Sequence, residues 1–183
     1  MKFFPGKNSI DKKMLIEQII SENYNKYYRL AYRYVYNDED ASDIVQNTAY
    51  KAIKNSSSLK QPEYAQTWIY RILLNECFLF LKKQKCYSYD DIKESSSVEL
   101  KYIEDHDANI DLQREIDSLP DRDKAIIILR YFEDKKLEEI AEILGESTNT
   151  VKSRLYRCLK RMREALSDED GKNNYKFSNG IGG

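Results

Sequence analysis

What this chain has little of narrows it first. Six glycines and three prolines leave its turns sparsely punctuated, whereas an all-β fold would need many more. Its three cysteines, Cys77, Cys86 and Cys158, are odd in number and show no C-x-x-C spacing. That argues against a disulfide framework and against a zinc site, and leaves them as small buried hydrophobes. His106 is the sole histidine. With no Gly-rich phosphate loop and no Ser/His or Cys/His constellation, neither an enzyme activity nor a cofactor is expected. No stretch approaches the ~20 apolar residues of a membrane span. Near the start only Phe3 and Phe4 precede Pro5 and Gly6, too little for a signal-peptide core. A reduced, cytoplasmic protein is expected. A net charge of only −1 also excludes a general attraction for polyanions.

What is present favours helices. Leu, Ile, Lys, Glu and Tyr are abundant in 183 residues, a length that suits two small helical lobes. Between 11 and 36, Leu15, Ile16, Ile19, Ile20, Tyr24, Tyr27, Tyr28, Ala31 and Tyr34 recur at three-and-four spacing, one apolar stripe on a helix. Asn37 and Asp38 end it. A second helix is predicted over 39–54, burying Ile44, Val45, Thr48, Ala49 and Ile53. After the Ser-rich "NSSSLKQPE", with Pro62 suited to a first helical turn, a third helix over 63–85 is apolar on several sides, and Trp68 reads as core.

Composition then changes. Residues 88 to 123 hold twelve acidic and four basic side chains, a balance of −8. The aperiodic first half of this segment, 88–108, reads as a flexible acidic linker. Helices are expected again at 109–119 and 121–132, the latter with Ile126, Ile127, Leu129 and Tyr131 as core. "LEEIAEIL", a glycine turn and a basic helix follow, then a polar tail over 167–183 that is expected to be disordered.

The basic helix carries the functional signal. Lys152, Arg154, Arg157, Lys160, Arg161 and Arg163 fall in one short stretch without an acid among them, while an ordinary solvated face mixes signs. Leu137, Ile140, Ala141 and Leu144 form the apolar face of the preceding helix. Gly145 suits its left-handed end, and Ser147 suits a cap on the next. Val151, Leu155, Cys158, Leu159 and Met162 should face inward. This is a helix-turn-helix pattern, and such a motif lays its second helix in the major groove of DNA. Base reading falls to Asn149, Lys152, Ser153, Tyr156 and Arg157, with Thr150 and Arg154 on the same outward side; Lys160, Arg161 and Arg163 are placed on phosphates.

"LPDRDKAIIILRYFEDKKLEEIAEILGESTNTVKSRLYRCLKRMRE" resembles region 4 of bacterial sigma factors of the extracytoplasmic-function group, the part that binds the −35 promoter element. "DEDASDIVQNTAYKAI" resembles region 2.2, which grips the coiled coil of the largest RNA polymerase subunit, and "TWIYRILLNECFLFLKKQK" resembles regions 2.3 and 2.4, which open and read the −10 element. The resemblance implies an all-α fold of two domains, 1–87 and 109–166. It implies a polymerase-contacting set of Asp40, Asp43, Gln46, Asn47 and Tyr50, and a −10 set of Arg71, Asn75, Lys82 and Lys83. Partners would be core polymerase (coiled coil and flap), promoter DNA and an anti-sigma factor. Three residues depart from the family's usual pattern: Glu146 stands where an apolar residue is usual, Lys136 where a capping Ser is, and Asn47 where an acid is.

Two rival readings are weaker. A stand-alone helix-turn-helix regulator, the alternative, explains 120–166 and leaves the first lobe without a role. A metal-dependent nuclease built on "EDHDANID" would need ligands held in fixed geometry, and these lie in the least regular part of the chain.

Overall fold

The computed structural model describes residues 7–90 and 107–178, with side chains over 12–84 and 112–166. Seven α-helices and two short 3-10 turns are the regular elements among the described residues, with no strand among them. The chain divides into two units, Met1–Lys101 and Tyr102–Gly183.

In the first unit α1 (Lys7–Val35), α2 (Asp38–Lys54) and α3 (Ala65–Asp90) pack pairwise. Their core is Ile16, Tyr27, Leu30, Ala31 and Tyr34 from α1, Ala41, Ile44, Val45 and Ala52 from α2, and Ile69, Tyr70, Leu73, Leu74 and Cys77 from α3. Aromatic edges key α1 to α3. Tyr27 meets Tyr70 at 5.2 Å with planes 84° apart, and Tyr34 meets Phe78 at 6.0 Å, both in the T-shaped range that the ring quadrupole favours. The apolar stripe on α1 is narrower than the sequence suggests. Tyr24 is exposed and instead begins a ladder Tyr24–Tyr28–Tyr32–Tyr36, with centroids 6.1 to 6.3 Å apart, because four-residue steps advance about 40° around a helix and drift off the buried face.

Local chemistry explains the boundaries. Asn37 caps α2, its Oδ1 accepting the Asp40 N–H at 3.0 Å. Asp38, Glu39 and Asp40 fill the positive first turn and Lys51 and Lys54 the negative last one. Tyr36, in a left-handed conformation (φ 52°), reverses the chain between α1 and α2. Pro62 opens a 3-10 turn, Pro62–Tyr64, instead of the first turn of α3. Two polar ties close the unit: Lys12 Nζ donates to Leu59 O at 2.7 Å, and Lys51 Nζ meets Glu76 Oε1 at 2.6 Å. Trp68, expected in the core, is only half-buried.

The second unit is centred on α5 (Asp121–Tyr131), surrounded by α4 (Asp107–Asp117), α6 (Leu137–Leu144) and α7 (Thr148–Ser178). Lys124, Ala125, Ile126, Ile127, Ile128 and Leu129 are all buried, so this short helix has no solvent face along its middle. The Lys124 ammonium is anchored by Asp117 Oδ1 at 2.8 Å, the pairing a buried charge requires. Tyr131, expected in the core, is instead more than half exposed, as is its neighbour Phe132 in part; α5 ends there and its last turn leaves the packed layer. Helix α7 continues to Ser178 through 167–178, which the sequence places in an unstructured tail. No proline interrupts that stretch, and extending an existing helix is far easier than nucleating one. Most of the expected linker, 91–106, lies outside the described residues, as does the side chain of Cys86; residues 88–90 and 107–108 belong to α3 and α4.

Candidate nucleic-acid interface and partner surface

Helices α6 and α7 meet through a tight, hydrogen-bonded turn. Gly145 is left-handed (φ 67°). Its N–H donates to Glu142 O at 3.3 Å and the Glu146 N–H to Ala141 O at 2.9 Å, the paired bonds of a Schellman motif. Ser147 then caps α7, its Oγ accepting the Thr150 N–H at 3.1 Å and lying 2.8 Å from the Thr150 hydroxyl. At the start of α6, Lys136 offers no side-chain acceptor, but its own N–H donates to Glu139 Oε2 at 2.8 Å. Half of a capping box therefore survives the loss of a capping hydroxyl.

Val151, Leu155, Cys158 and Met162 are buried along one side of α7. Burial, followed by the carboxylate of Asp123, raises the Cys158 thiol above its ordinary range and keeps it protonated. Asn149, Lys152, Ser153, Tyr156, Arg157, Lys160 and Arg163 are exposed. At about 100° per residue all of these point away from the buried stripe.

Two arginines expected on this outward side are turned to the flank. Arg154 Nε lies 3.1 Å from Asp123 Oδ1, and its Nη1 lies 2.9 and 3.2 Å from the two oxygens of Glu146. Arg122 Nη1 reaches the same Glu146 carboxylate at 2.8 Å. Arg161 Nη2 donates to Ser118 Oγ at 3.1 Å. Arg154 and Arg161 are seven residues apart, so they share the side of α7 that meets α4 and α5. Sequence periodicity could place them at the edge of the basic face; their partners come from elements that no local spacing reveals.

In the first unit, Asp43, Gln46, Asn47 and Tyr50 are exposed on α2 and Asp40 is half-buried at their rim, opposite the buried Ala41, Ile44, Val45, Thr48 and Ala52. Partial burial, then Asp43 and Glu39, raise the Asp40 carboxyl above its usual range. The patch thus concentrates negative charge on the outer side of α2. Beside it the Tyr28 hydroxyl donates to Asp38 Oδ1 at 2.5 Å, and this bond to a carboxylate is the main reason the phenol is pushed up to about 12. Lys54 sits over the Tyr50 ring, 5.4 Å from its centroid. On α3, Arg71, Asn75, Lys82 and Lys83 are exposed. Arg71, Asn75 and Lys82 fall within about 40° of one another, and Lys83 lies about 100° further round. Among the described residues no cluster of three His, Cys, Asp or Glu side chains is arranged to hold a metal ion, and no helix is long and apolar enough to cross a membrane.

The second unit is therefore a helix-turn-helix module of the DNA-reading class, joined in sequence to a three-helix unit with an acidic outer face. Comparison with known proteins makes the family plain. The model of sigma-70 region 2 matches residues 19–86 and that of sigma-70 region 4 matches 110–162. The RNA polymerase sigma factor SigV of Bacillus subtilis is 48% identical over 86% of this chain and 95% of its own length. The ECF RNA polymerase sigma factor SigW of the same organism is 31% identical over 79% and 84%. The chain belongs to the sigma-70 family, in its extracytoplasmic-function group, and is a transcription initiation factor rather than an enzyme. Its fold is also that of the sigma factor RpoE solved with the anti-sigma factor NepR from Bartonella quintana, at 24% identity and a TM-score of 0.64, over 82% of this chain and 96% of that one. CnrH, solved with the cytosolic domain of CnrY, gives 21% identity and 0.60, over 85% and 88%.

Proposed function

We propose that this sigma factor, working in the cytoplasm, binds core RNA polymerase through the acidic face of α2 and directs it to promoters through α7 and α3. In this reading 1–87 provides polymerase binding and −10 recognition, 88–108 is the tether, and 109–166 reads the −35 element. Asn149, Lys152, Ser153, Tyr156 and Arg157 meet base edges, with Thr150 at the N-terminal end, and Lys160, Arg161 and Arg163 hold phosphates. Arg71, Asn75, Lys82 and Lys83 serve the −10 element. Asp43 and Gln46 are the centre of the polymerase contact, with Asp40, Asn47 and Tyr50 at its rim; the coiled coil of the largest subunit takes this face and the flap takes the second unit.

The observation that carries the reading is the division of α7 into a buried stripe, Val151, Leu155, Cys158 and Met162, and an outward side rich in base-reading side chain types and without an acid before Glu164. An anti-sigma factor is the expected regulator, since the sigma factor RpoE, which shares this fold, was solved in complex with one. A regulator acting without polymerase would leave the acidic face of α2 idle. Run-off transcription by core polymerase on genomic fragments, with and without the chain, tests the proposal: new start points are expected only in its presence. Core enzyme that neither captures the chain nor gains a start point would end it.

A further inference from the structure

Glu146 occupies the second position beyond the end of α6, where a Schellman motif ordinarily carries an apolar side chain packed back on the helix. Here the two backbone bonds from Gly145 and Glu146 to α6 hold the position, and the carboxylate, only 14% exposed, gathers two guanidiniums. One oxygen lies 2.8 Å from Arg122 on α5 and 2.9 Å from Arg154 on α7, and the other lies 3.2 Å from Arg154. Asp123 takes the remaining edge of Arg154. Two cations and two anions close on themselves at the edge of the basic helix.

A carboxylate and a phosphate compete for the same fork of guanidinium donors. We propose that Glu146 is a specificity-determining residue that acts by withholding Arg122 and Arg154 from DNA phosphates. With these cations held inside the unit, attraction that is blind to sequence is reduced, and binding depends more on the outward side chains of α7. The inference rests on the reading of α7 as the −35 reader and adds to it a residue that touches no base.

The test uses holoenzyme reconstituted with full-length chain, a promoter fragment and the same fragment with its −35 element scrambled, each titrated over a range of salt. Glu146→Gln keeps the shape and removes the charge; Glu146→Leu supplies an apolar group, so that a packing defect in one variant does not decide the outcome. Each phosphate contact adds about 0.9 to the slope of log affinity against log salt. Both variants are expected to steepen that slope, by up to about 2, and to bind the scrambled fragment about three- to tenfold more tightly at low salt, so that the preference for the promoter falls. Adding Arg122→Gln and Arg154→Gln to Glu146→Gln should return the slope to its starting value. Unchanged slope and preference in both variants, or weaker binding to both fragments with a lowered melting point, would show a structural role only and overturn the proposal. Wild-type holoenzyme that fails to distinguish the two fragments would instead remove the −35 reading beneath it.

Discussion

Arg154 and Arg157 are three residues apart on α7 and differ in every consequence. Arg157 is exposed, whereas Arg154 is half-buried between Asp123 and Glu146. Arg157→Ala is expected to weaken holoenzyme binding by about 1 to 3 kcal/mol, with selectivity lost at the −35 element and the melting point unmoved. Uniform loss on every sequence would make Arg157 a phosphate anchor. Arg154→Ala should instead destabilise the second unit by about 1 to 3 kcal/mol, because it strands the partly buried Asp123 and leaves Glu146 with Arg122 alone; thermal melting of the two variants side by side separates the cases. The sequence told these arginines apart only weakly. Helical period puts Arg157 well clear of the buried stripe and Arg154 about 70° from its middle, at the edge of the basic face, and the acids that capture Arg154 lie on α5 and in the turn, where spacing within α7 carries no information. The same limit explains Tyr131: its apolar neighbours suggested core, but α5 ends there.

At the scale of the element, the α6–α7 turn was legible almost to the atom. Gly145 has the left-handed backbone and Ser147 the cap that their residue types imply, because a positive φ and an N-terminal acceptor each admit few side chains. An added Cβ at Gly145 would meet nothing within 4 Å, so Gly145→Ala tests backbone strain alone and should cost about 1 to 2 kcal/mol, with Asn at the same position better tolerated. Ser147→Ala should cost about 1 kcal/mol through the lost acceptor. Urea denaturation measures both, and a neutral Gly145→Ala would mean that the Schellman bonds do not define the turn. The far end of α7 was not legible. "SDEDGKNNYKFS" is polar enough to read as a tail, yet it contains no proline to stop a helix that is already under way.

The whole molecule joins a basic reading helix to a chain with a net charge of only −1, since the segment 88–123 alone carries −8. Most of the affinity of a protein for DNA comes from phosphate neutralisation, and here part of the basic charge is spoken for internally: Arg154 faces two acids, and Lys160 lies 3.7 Å from Glu164. The free chain should therefore bind a promoter duplex poorly at physiological salt, and holoenzyme should bind it tightly, with polymerase supplying the electrostatic attraction and this chain the preference among sequences. Fluorescence anisotropy on one labelled duplex, with the chain alone and with the chain on core enzyme, measures both affinities. Equal values would mean that the acidic segment does not restrain the reading helix, and that the near-neutral total has no bearing on when the factor engages DNA.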